Sequence, residues 1–489
     1  MLTRMGLVIA CLLAAWSAEA TDTFNATTGQ INMPAVVLGN TVYTDVAVSL
    51  AQVLAVDQGQ PYGTCDSYDP ATNQLTIPAV QVGTVSYSNV LVTVNLQGVK
   101  VGGSLPAANS PCQAPARNQL PLTVDAGPSA VIAAGSAETN IPYVNVTVCQ
   151  PGTTTCQTID HVLVDTGSTG LRVIASVLNP ALTGLPPVTD GSGNGLAECV
   201  VFASNVSWGA VRTADVQLGG ETAHAIPIQV IGDGAFPQVP AGCSSQGPVQ
   251  DTVVAFGANG VLGVSTFVQD CGDGCTNAAN SFYYTCPPAG CQPVGVPLIQ
   301  QLPNPVSQLN EDNNGVVLAL PAIPLSGAVS ASGTLTLGIG TQSNNSLGNA
   351  TVYDLDMVTG NFTTIYNGQT YFDNGFLDSG SNGLFFADNS IAACSNTGPA
   401  AGFYCPGSIL QLSAINEGAS NGNAGQVNFA VANAEGLFSL TNDAAFSTLA
   451  GSPIPGMFDW GLPFFFGRQV FTAFERSPTP WGYGPYVAY

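Results

Sequence analysis

Short apolar runs alternate with polar and turn-forming residues along most of the chain. Residues 90–96 alternate as a half-buried strand does, and no long helical periodicity is present. The 56 glycines and 34 prolines separate many short runs of Val, Ile, Thr and Tyr, which is typical of strands joined by turns. The pattern predicts an all-β fold.

One part of this pattern occurs twice. Residues 24–39 recur as residues 68–83, and both Pro34/Pro78 and Tyr43/Tyr87 are 44 residues apart. We expect the two copies to form one small β module, residues 21–105, that acts as a spacer or docking unit.

The remaining chain is too long for one ordinary core. Residues 106–125 are rich in Ala, Pro and Asn and are predicted to be a linker. Beyond them we expect one large unit with two halves, residues 126–310 and 311–489, divided near the polar run 310–315.

The N-terminus predicts export. Arg4, the apolar residues 5–16 and Ala18-Glu19-Ala20 form the three parts of a signal peptide, residues 1–20. A lipid anchor at Cys11 is the alternative, but it leaves an h-region of only six residues. No later segment is apolar and long enough to span a membrane. We therefore expect a secreted, periplasmic or cell-envelope protein, and a monomer.

Cysteine content agrees with export. Twelve cysteines remain after the signal, an even number that favours disulfides in an oxidising compartment. Four pairs are expected: Cys149 with Cys156, Cys394 with Cys405, Cys65 with Cys112, and Cys199 with Cys243. The connectivity of Cys271, Cys275, Cys286 and Cys291 stays open, and a zinc knuckle is the alternative for that cluster.

Charge excludes some partners. The formal net charge is −23 at pH 7, and only six Lys and Arg residues follow the signal. Nucleic acid and anionic membrane surfaces do not attract such a protein.

Two acidic turns stand out. An apolar strand leads into Asp165-Thr166-Gly167-Ser168, and another leads into Asp378-Ser379-Gly380-Ser381, 213 residues later. Each turn is followed by a Gly-Leu pair. One such turn is weak evidence, since Asp and Gly are common in turns, but two matched copies are much stronger.

The residue types suit paired-acid chemistry. Two carboxyls held close together share one proton, so one can act as general base on a water while the other donates to a carbonyl. Gly167 and Gly380 let the backbone approach the acids. The hydroxyls of Thr166, Ser168, Ser379 and Ser381 can lock the turns together and orient the carboxyls.

These motifs resemble the two active-site loops of the pepsin-like aspartic peptidases. That resemblance covers residues 136–489 and implies a bilobal β fold in which Asp165 and Asp378 are catalytic and the substrate is a polypeptide. It implies no metal and no cofactor. Residues 260–264 are similar to the family's segment that passes beneath the first Asp turn, and residues 458–475 are similar to its closing strand pair. A narrower set of motifs is similar to an exported bacterial pepsin-like family.

Two positions depart from the family pattern. Phe202 or Trp208 occupies the region of the flap tyrosine, so these are the candidate substrate contacts. Arg172 replaces an aromatic residue. It either lowers the pKa of Asp165, or faces solvent or pairs with a surface acid.

Other functions remain as alternatives. The main one is an inactive protein of the same fold that binds a peptide or glycan at the cell envelope, and another is a surface adhesin. Only His161 and His224 exist, which rules out a multi-histidine metal site and disfavours a Ser-His-Asp triad. We expect His161 at the surface and His224 in a loop. The Asp270–Gly274 segment lacks the ligand spacing of a calcium loop.

Overall fold

The computed structural model describes residues 22–25, 28–38, 41–57, 66–69, 73–82, 85–101, 103–106, 117–203, 205–452 and 455–489. The predicted signal peptide, Cys11 and the predicted Cys65–Cys112 pair lie outside these residues. The chain divides into two compact units, residues 1–114 and 115–489.

The first unit is a seven-stranded sheet with the order β1-β2-β4-β5-β6-β3-β7. Its strands are β1 (Asp22–Asn25), β2 (Gln30–Leu38), β3 (Thr41–Asp57), β4 (Asp66–Asp69), β5 (Gln74–Val82), β6 (Val85–Lys100) and β7 (Gly103–Pro106). Side chains such as Ile31, Met33, Ile77 and Val92 form its core.

The sequence repeat is visible in the strand pairing of this unit. Strand β1 pairs in parallel with β5, with Asp22 opposite Val80, and β2 pairs in parallel with β4, with Val36 opposite Asp66. Each pairing maps onto the other when 44 residues are added to one copy. The first strand of each copy therefore joins the other copy, and the two repeats share one sheet.

The second unit contains the remaining elements. Its strands are β8 (Gln119–Val124), β9 (Pro142–Cys149), β10 (Cys156–Asp165), β11 (Thr169–Ile174), β12 (Gly195–Val201), β13 (Val206–Leu218), β14 (Glu221–Ile231), β15 (Gly260–Val264), β16 (Tyr283–Cys286), β17 (Gln292–Pro293), β18 (Gly315–Leu320), β19 (Ala331–Leu337), β20 (Val352–Asp354), β21 (Phe362–Tyr366), β22 (Gln369–Leu377), β23 (Leu384–Phe385), β24 (Leu410–Glu417), β25 (Ala424–Val431), β26 (Ala450–Gly451), β27 (Phe458–Trp460), β28 (Arg468–Ala473) and β29 (Tyr486–Ala488). The α-helices are α1 (Ser129–Ala133), α2 (Ala241–Ser244), α3 (Val253–Phe256) and α4 (Ala434–Phe438). Short 3₁₀ turns occur at Ala175–Val177, Gly272–Thr276, Leu298–Gln300, Val306–Gln308 and Leu462–Phe464.

The all-β class is confirmed, since no α-helix in the described residues exceeds five residues. Strands β8–β20, β28 and β29 form a 15-stranded sheet, and β21–β27 form a second sheet of seven strands. The large sheet has the order β17-β16-β12-β13-β14-β11-β15-β10-β9-β8-β19-β18-β28-β29-β20, and the second has the order β25-β24-β21-β22-β27-β23-β26. No helix in the described residues is long and apolar enough to cross a membrane.

The predicted linker is wrong over residues 119–124. Strand β8 lies between β9 and β19, with Leu120 opposite Leu335 and Thr123 opposite Tyr143. Leu120, Leu122 and Val124 alternate along it and are buried. Neighbouring Pro, Asn and Arg residues obscured this short alternation in the sequence. Because β8 joins strands from both sides of the predicted boundary at residue 310, the division into halves at that position stays a prediction.

Candidate active site

Asp165 ends β10, a strand that pairs with β9 along one edge and with β15 along the other. In β10, the residues before Asp165 pair in parallel with β15, so that Val164 lies opposite Leu262 and Asp165 opposite Gly263. Strand β11 returns antiparallel on the other side of β15. A Cβ at Gly263 would lie 2.7 Å from backbone atoms of Ser168 and Thr169. Only glycine permits this approach beneath the turn.

Asp378 is placed in the same way by the second sheet. It follows β22, which pairs in parallel with β27, and β23 returns antiparallel to β27. Gly461 follows β27, and a Cβ there would lie 2.1 Å from the carbonyl oxygen of Gly383. The turns at Asp165 and Asp378 are far apart in the sequence, but the same arrangement of three strands holds each of them.

Reciprocal hydrogen bonds join the two turns. The amide of Thr166 donates to Ser379 Oγ at 3.1 Å, and the amide of Ser379 donates to Thr166 Oγ1 at 2.9 Å. The two hydroxyls donate onward to backbone carbonyls of the opposite strand, Thr166 to Leu377 at 3.0 Å and Ser379 to Val164 at 2.7 Å. Each hydroxyl acts once as donor and once as acceptor, so these buried groups are satisfied and the turns are fixed relative to one another.

The carboxyls of Asp165 and Asp378 lie close together, because a Cβ at Gly380 would be 2.7 Å from Asp165 Oδ1 and 3.2 Å from Asp378 Oδ1. The amide of Gly167 donates to Asp165 Oδ1 and that of Gly380 to Asp378 Oδ1, both at 2.8 Å. Ser168 donates its hydroxyl hydrogen to Asp165 Oδ2. Ser381 does the same to Asp378 Oδ2 at 2.9 Å.

The glycines allow the two acids to meet. A Cβ at Gly167 would lie 2.8 Å from the carboxyl of Asp378, and one at Gly380 would lie 2.7 Å from Asp165 Oδ1. Gly167 is exposed, whereas Asp165 is 6% exposed. The pair is therefore enclosed by protein but reached by solvent at the first turn.

Electrostatics favour one shared proton. Desolvation, and then the negative charge of Asp165, raise the pKa of Asp378 to about 8. Two carboxyls this close resist double ionisation because each charge opposes the other. At mildly acidic and neutral pH the pair can hold one acid and one base, which is the state that general acid–base catalysis needs.

A family model described as "Protein of unknown function (DUF3443)" matches residues 114–489. The chain belongs to this family. A comparison with curated proteins found no match. Among solved structures, the aspartic proteinase from Irpex lacteus has 17% sequence identity to this DUF3443 chain and a TM-score of 0.41, with 76% of this chain and 96% of that chain covered. Similarity at this level says nothing about activity, so any function must come from the site itself.

Arg172 of the DUF3443 chain corrects one prediction. It neither faces solvent nor pairs with a surface acid, because it is 1% exposed and contacts buried carboxylates. Its Nη2 donates to Glu198 Oε1 at 2.5 Å and to Asp270 Oδ2 at 3.2 Å. Tyr283 donates to the same Asp270 oxygen at 2.7 Å. Asp270 is therefore part of this buried network rather than of a calcium loop.

The two candidate substrate contacts are not brought to the acid pair by any described interaction. Trp208 is 2% exposed, donates from Nε1 to the carbonyl of Phe236 at 2.8 Å and packs edge-on against Tyr284. This is the position of a core side chain. Phe202 contacts the ring of Phe256.

The hairpin that carries these residues is fixed at its edge. Strand β12 pairs with β13 on one side and with β16 on the other. A disulfide joins Cys199 of β12 to Cys243 of α2. A hairpin held on three sides has little freedom to open and close over a substrate.

The disulfides agree with most of the predicted pairing. Cys149–Cys156, Cys199–Cys243 and Cys394–Cys405 are confirmed. The open cluster resolves into two local bridges, Cys271–Cys275 and Cys286–Cys291. This pairing removes the thiolates that a zinc knuckle requires.

Both histidines differ from their predicted settings. His161 is only 16% exposed in its side chain and lies between Asp160 and Asp125, at 2.6 Å and 3.4 Å. Burial alone would lower the pKa of His161, but these carboxylates raise it to about 10. His224 is exposed, but it lies in β14 rather than in a loop.

Sequence reasoning missed Asp459 as a site residue. It lies between Phe458 and Trp460 in β27 and is 2% exposed, and the negative charge of Asp378 helps to raise its pKa after burial, the larger cause. The available signal was an acid inside an otherwise apolar strand that runs beneath an Asp turn.

Proposed function

We propose that this protein is an exported aspartic-type endopeptidase that hydrolyses peptide bonds with a water activated between Asp165 and Asp378. The observation that carries the proposal is the close approach of the two carboxyls, each also held by a glycine amide and a serine hydroxyl. The five disulfides of the described residues support an oxidising compartment, and hence export.

The proposed reaction needs only the shared proton. The ionised member of the pair takes a proton from the water, and the oxygen of that water forms a bond to the peptide carbonyl carbon. The protonated member donates to the carbonyl oxygen, which gives a neutral tetrahedral diol. Collapse of the diol breaks the C–N bond and transfers a proton to the leaving amine, so the pair again holds one proton.

Digestion of an unfolded polypeptide between acid and neutral pH tests this proposal. We expect cleavage by the wild type and a loss of roughly 10³-fold or more in Asp165→Asn and Asp378→Asn, because each removes one partner of the acid–base pair. Asp388→Asn is the matched control. It removes a carboxyl of the same half that bonds Tyr366 and Ser390 instead of the pair. Equal activity of the wild type and Asp378→Asn would refute the proposed peptidase activity.

A second candidate is a protein that holds a peptide at the same acids without cutting it. The fixed hairpin of β12 and β13 favours this function, because closure over a substrate commonly completes a catalytic site. A peptide in which a secondary alcohol replaces the scissile amide separates the two candidates. Binding of this mimic by a protein that shows no cleavage at any pH would support the binder.

A further inference from the structure

The carbonyl oxygen four residues after each aspartate of the pair is bound by a buried side chain. In the first half this carbonyl belongs to Thr169, and it accepts a hydrogen bond from Arg172 Nη1 at 2.7 Å. In the second half it belongs to Asn382, and it accepts from Asn140 Nδ2 at 2.8 Å. Arg172 is 1% exposed and Asn140 is 0% exposed. The two turns therefore receive the same bond from donors of different chemistry.

The preceding residue shows that these two carbonyls are structurally equivalent. In the first half the carbonyl of Ser168 accepts from the amide of Ser265 at 2.9 Å. In the second half the carbonyl of Ser381 accepts from the amide of Leu462 at 2.7 Å. These are the two serines whose hydroxyls donate to the aspartates. Each serine is thus held by a backbone amide, and the residue after it is held by a buried side chain.

Asn140 lies just before β9, but its side chain is bound to residues of the second half. Besides the bond to Asn382, Nδ2 donates to the carbonyl of Phe446 at 2.9 Å, and Oδ1 accepts from the amide of Phe446 at 2.7 Å. Both amide hydrogens are used, so the orientation of the side chain is fixed. The backbone of Asn140 has a φ of +56°, a conformation that asparagine adopts more readily than most residues. Asparagine therefore suits both the backbone and the contacts of this position.

A second buried asparagine makes the same set of bonds away from the turns. Asn314 is 6% exposed, and its Nδ2 donates to the carbonyls of Ile339 at 3.0 Å and Pro478 at 2.9 Å. Its Oδ1 accepts from the amide of Ile339 at 2.7 Å. These partners lie outside both turns. Asn314 therefore shows what such an asparagine contributes to the fold alone, and it provides a matched reference for Asn140.

We propose that Asn140 is a positioning residue that holds the turn of Asp378 through the carbonyl of Asn382. Arg172 holds the first turn in the same way through the carbonyl of Thr169. Asn382 directly follows the serine whose hydroxyl donates to Asp378, so a shift of this carbonyl also shifts that donor. Because the two carboxyls meet in a narrow space between the turns, such a shift changes the distance between them. Asn140 is fully buried and touches no substrate in this role.

The kinetic consequence of this inference rests on the proposed peptidase function. Asn140→Gly removes the bond to Asn382, while glycine accepts the positive φ. We expect kcat to fall roughly 10- to 100-fold, because a small misplacement of catalytic groups is costly, and KM to stay unchanged. Asn314→Gly removes three hydrogen bonds of the same kinds and should keep the wild-type kcat. Chemical denaturation establishes that both variants are folded under the assay conditions.

A second variant keeps the test decisive if Asn140→Gly does not fold. Asn140→Asp has the same size, tolerates the same backbone conformation and can still accept from the amide of Phe446. Its ionised carboxylate has no hydrogen to donate to Asn382. We therefore expect the same selective loss of kcat at neutral pH. A wild-type kcat in either folded variant would contradict the positioning role.

The titration of the acid pair tests the positioning without using activity. Carbon-13 NMR of protein labelled at the aspartate carboxyl carbons follows Asp165 and Asp378, and the signal of each is assigned with its Asn variant. Two close carboxyls ionise in two separate steps, because the first charge opposes the second. In Asn140→Gly we expect the two steps to approach each other by about 1 pH unit or more, since repulsion weakens as the carboxyls separate. Asp459, the third carboxyl that interacts electrostatically with the pair, is unchanged in every variant.

The outcomes separate the two proposals. If the wild type cleaves nothing but the two steps approach each other in Asn140→Gly and not in Asn314→Gly, the peptidase function fails and the positioning role stands. If the titration of the pair is the same in the wild type and Asn140→Gly, the inference is overturned. It is also overturned if Asn140→Gly and Asn314→Gly lose kcat equally, because the effect would then come from the stability of the fold alone.

Discussion

The two halves of the site share one arrangement of strands but bury different ionisable side chains in it, Arg172 and Asp459. Seven residues after Asp165 the first half has Arg172, and seven residues after Asp378 the second half has Phe385. Across the adjacent strand these residues face Val261 and Asp459. Each half thus places one ionisable side chain in the layer beneath its turn, on a different strand.

The halves differ in how that charge is neutralised. Arg172 is paired with Glu198 and Asp270, so its charge is balanced by buried carboxylates. The described residues give Asp459 no salt bridge, and burial raises its pKa well above the ordinary value, so a proton neutralises this carboxyl. The comparison shows that this layer accepts a polar group when a partner or a proton cancels its charge.

Removing the partner in the first half should have the largest effect on stability. Arg172→Met leaves Glu198 and Asp270 buried without their cation, and we expect the free energy of unfolding to fall by about 3–5 kcal/mol. Chemical denaturation measures this loss. Phe385→Leu at the equivalent position is the control and should cost about 1 kcal/mol. Equal losses would show that the first half does not depend on ion pairing.

Removal of the hydrogen bonds between the two turns should have the next largest effect on stability. Thr166→Val removes the hydroxyl that accepts from the Ser379 amide, so we expect a loss of about 1–3 kcal/mol from an unsatisfied buried donor. Ser379→Ala breaks the reciprocal pair and should cost a similar amount. Denaturation curves of both variants and of the double variant test the coupling, since two independent sites would give additive losses.

Stability should fall as pH rises from about 5 to 8.5. Burial raises the pKa of Asp378 to about 8, so the folded protein retains a proton there that the unfolded chain releases near its ordinary pKa of 3.8. Burial and the repulsion between Asp66 and Asp22 raise the pKa of Asp66 as well. Stability from these groups is complete below pH 4 and is lost as pH rises through the folded pKa values.

Thermal unfolding across this range measures the effect. We expect the Tm to drop by about 5 °C between pH 5 and pH 8.5. Asp378→Asn should show a smaller drop, because its amide does not titrate. A Tm that rises over this range in the wild type would contradict the raised pKa values.

The smallest expected effect is that of Asp459→Val on stability. A valine of similar size matches Val261 of the other half and needs no hydrogen bond, so we expect a gain of about 1 kcal/mol at pH 7. A loss of several kcal/mol would mean that the acid is structurally required. Val261→Thr, a polar substitution at the equivalent buried position, provides the control and should be destabilising.

Local sequence patterns predicted the parts of this site that consecutive residues form. The two turns, the apolar strands before them and the Cys149–Cys156 and Cys394–Cys405 disulfides were visible because each depends on neighbouring residues or short spacings. That the hydroxyls of Thr166 and Ser379 join the two turns could be predicted, because the turn occurs twice in the sequence.

The partners of Arg172 and Asp459 could not be predicted in the same way. Glu198 and Asp270 lie 26 and 98 residues from Arg172 in the sequence, and neither contact has a spacing rule. Strand β8 was missed because its three buried residues are too few to produce a strong period. In each case the deciding interaction joins segments far apart in sequence.

Hydrolysis in water enriched in ¹⁸O is the most direct test of the central claim. A synthetic peptide is cleaved by the wild type under single-turnover conditions, and the masses of the products are measured by mass spectrometry. Attack by a water held between Asp165 and Asp378 predicts one ¹⁸O atom in the new carboxylate in the first turnover, no covalent adduct on the protein, and no product with Asp378→Asn. Product formation by Asp378→Asn at the wild-type rate, or an intermediate bound covalently to the protein, would contradict the account.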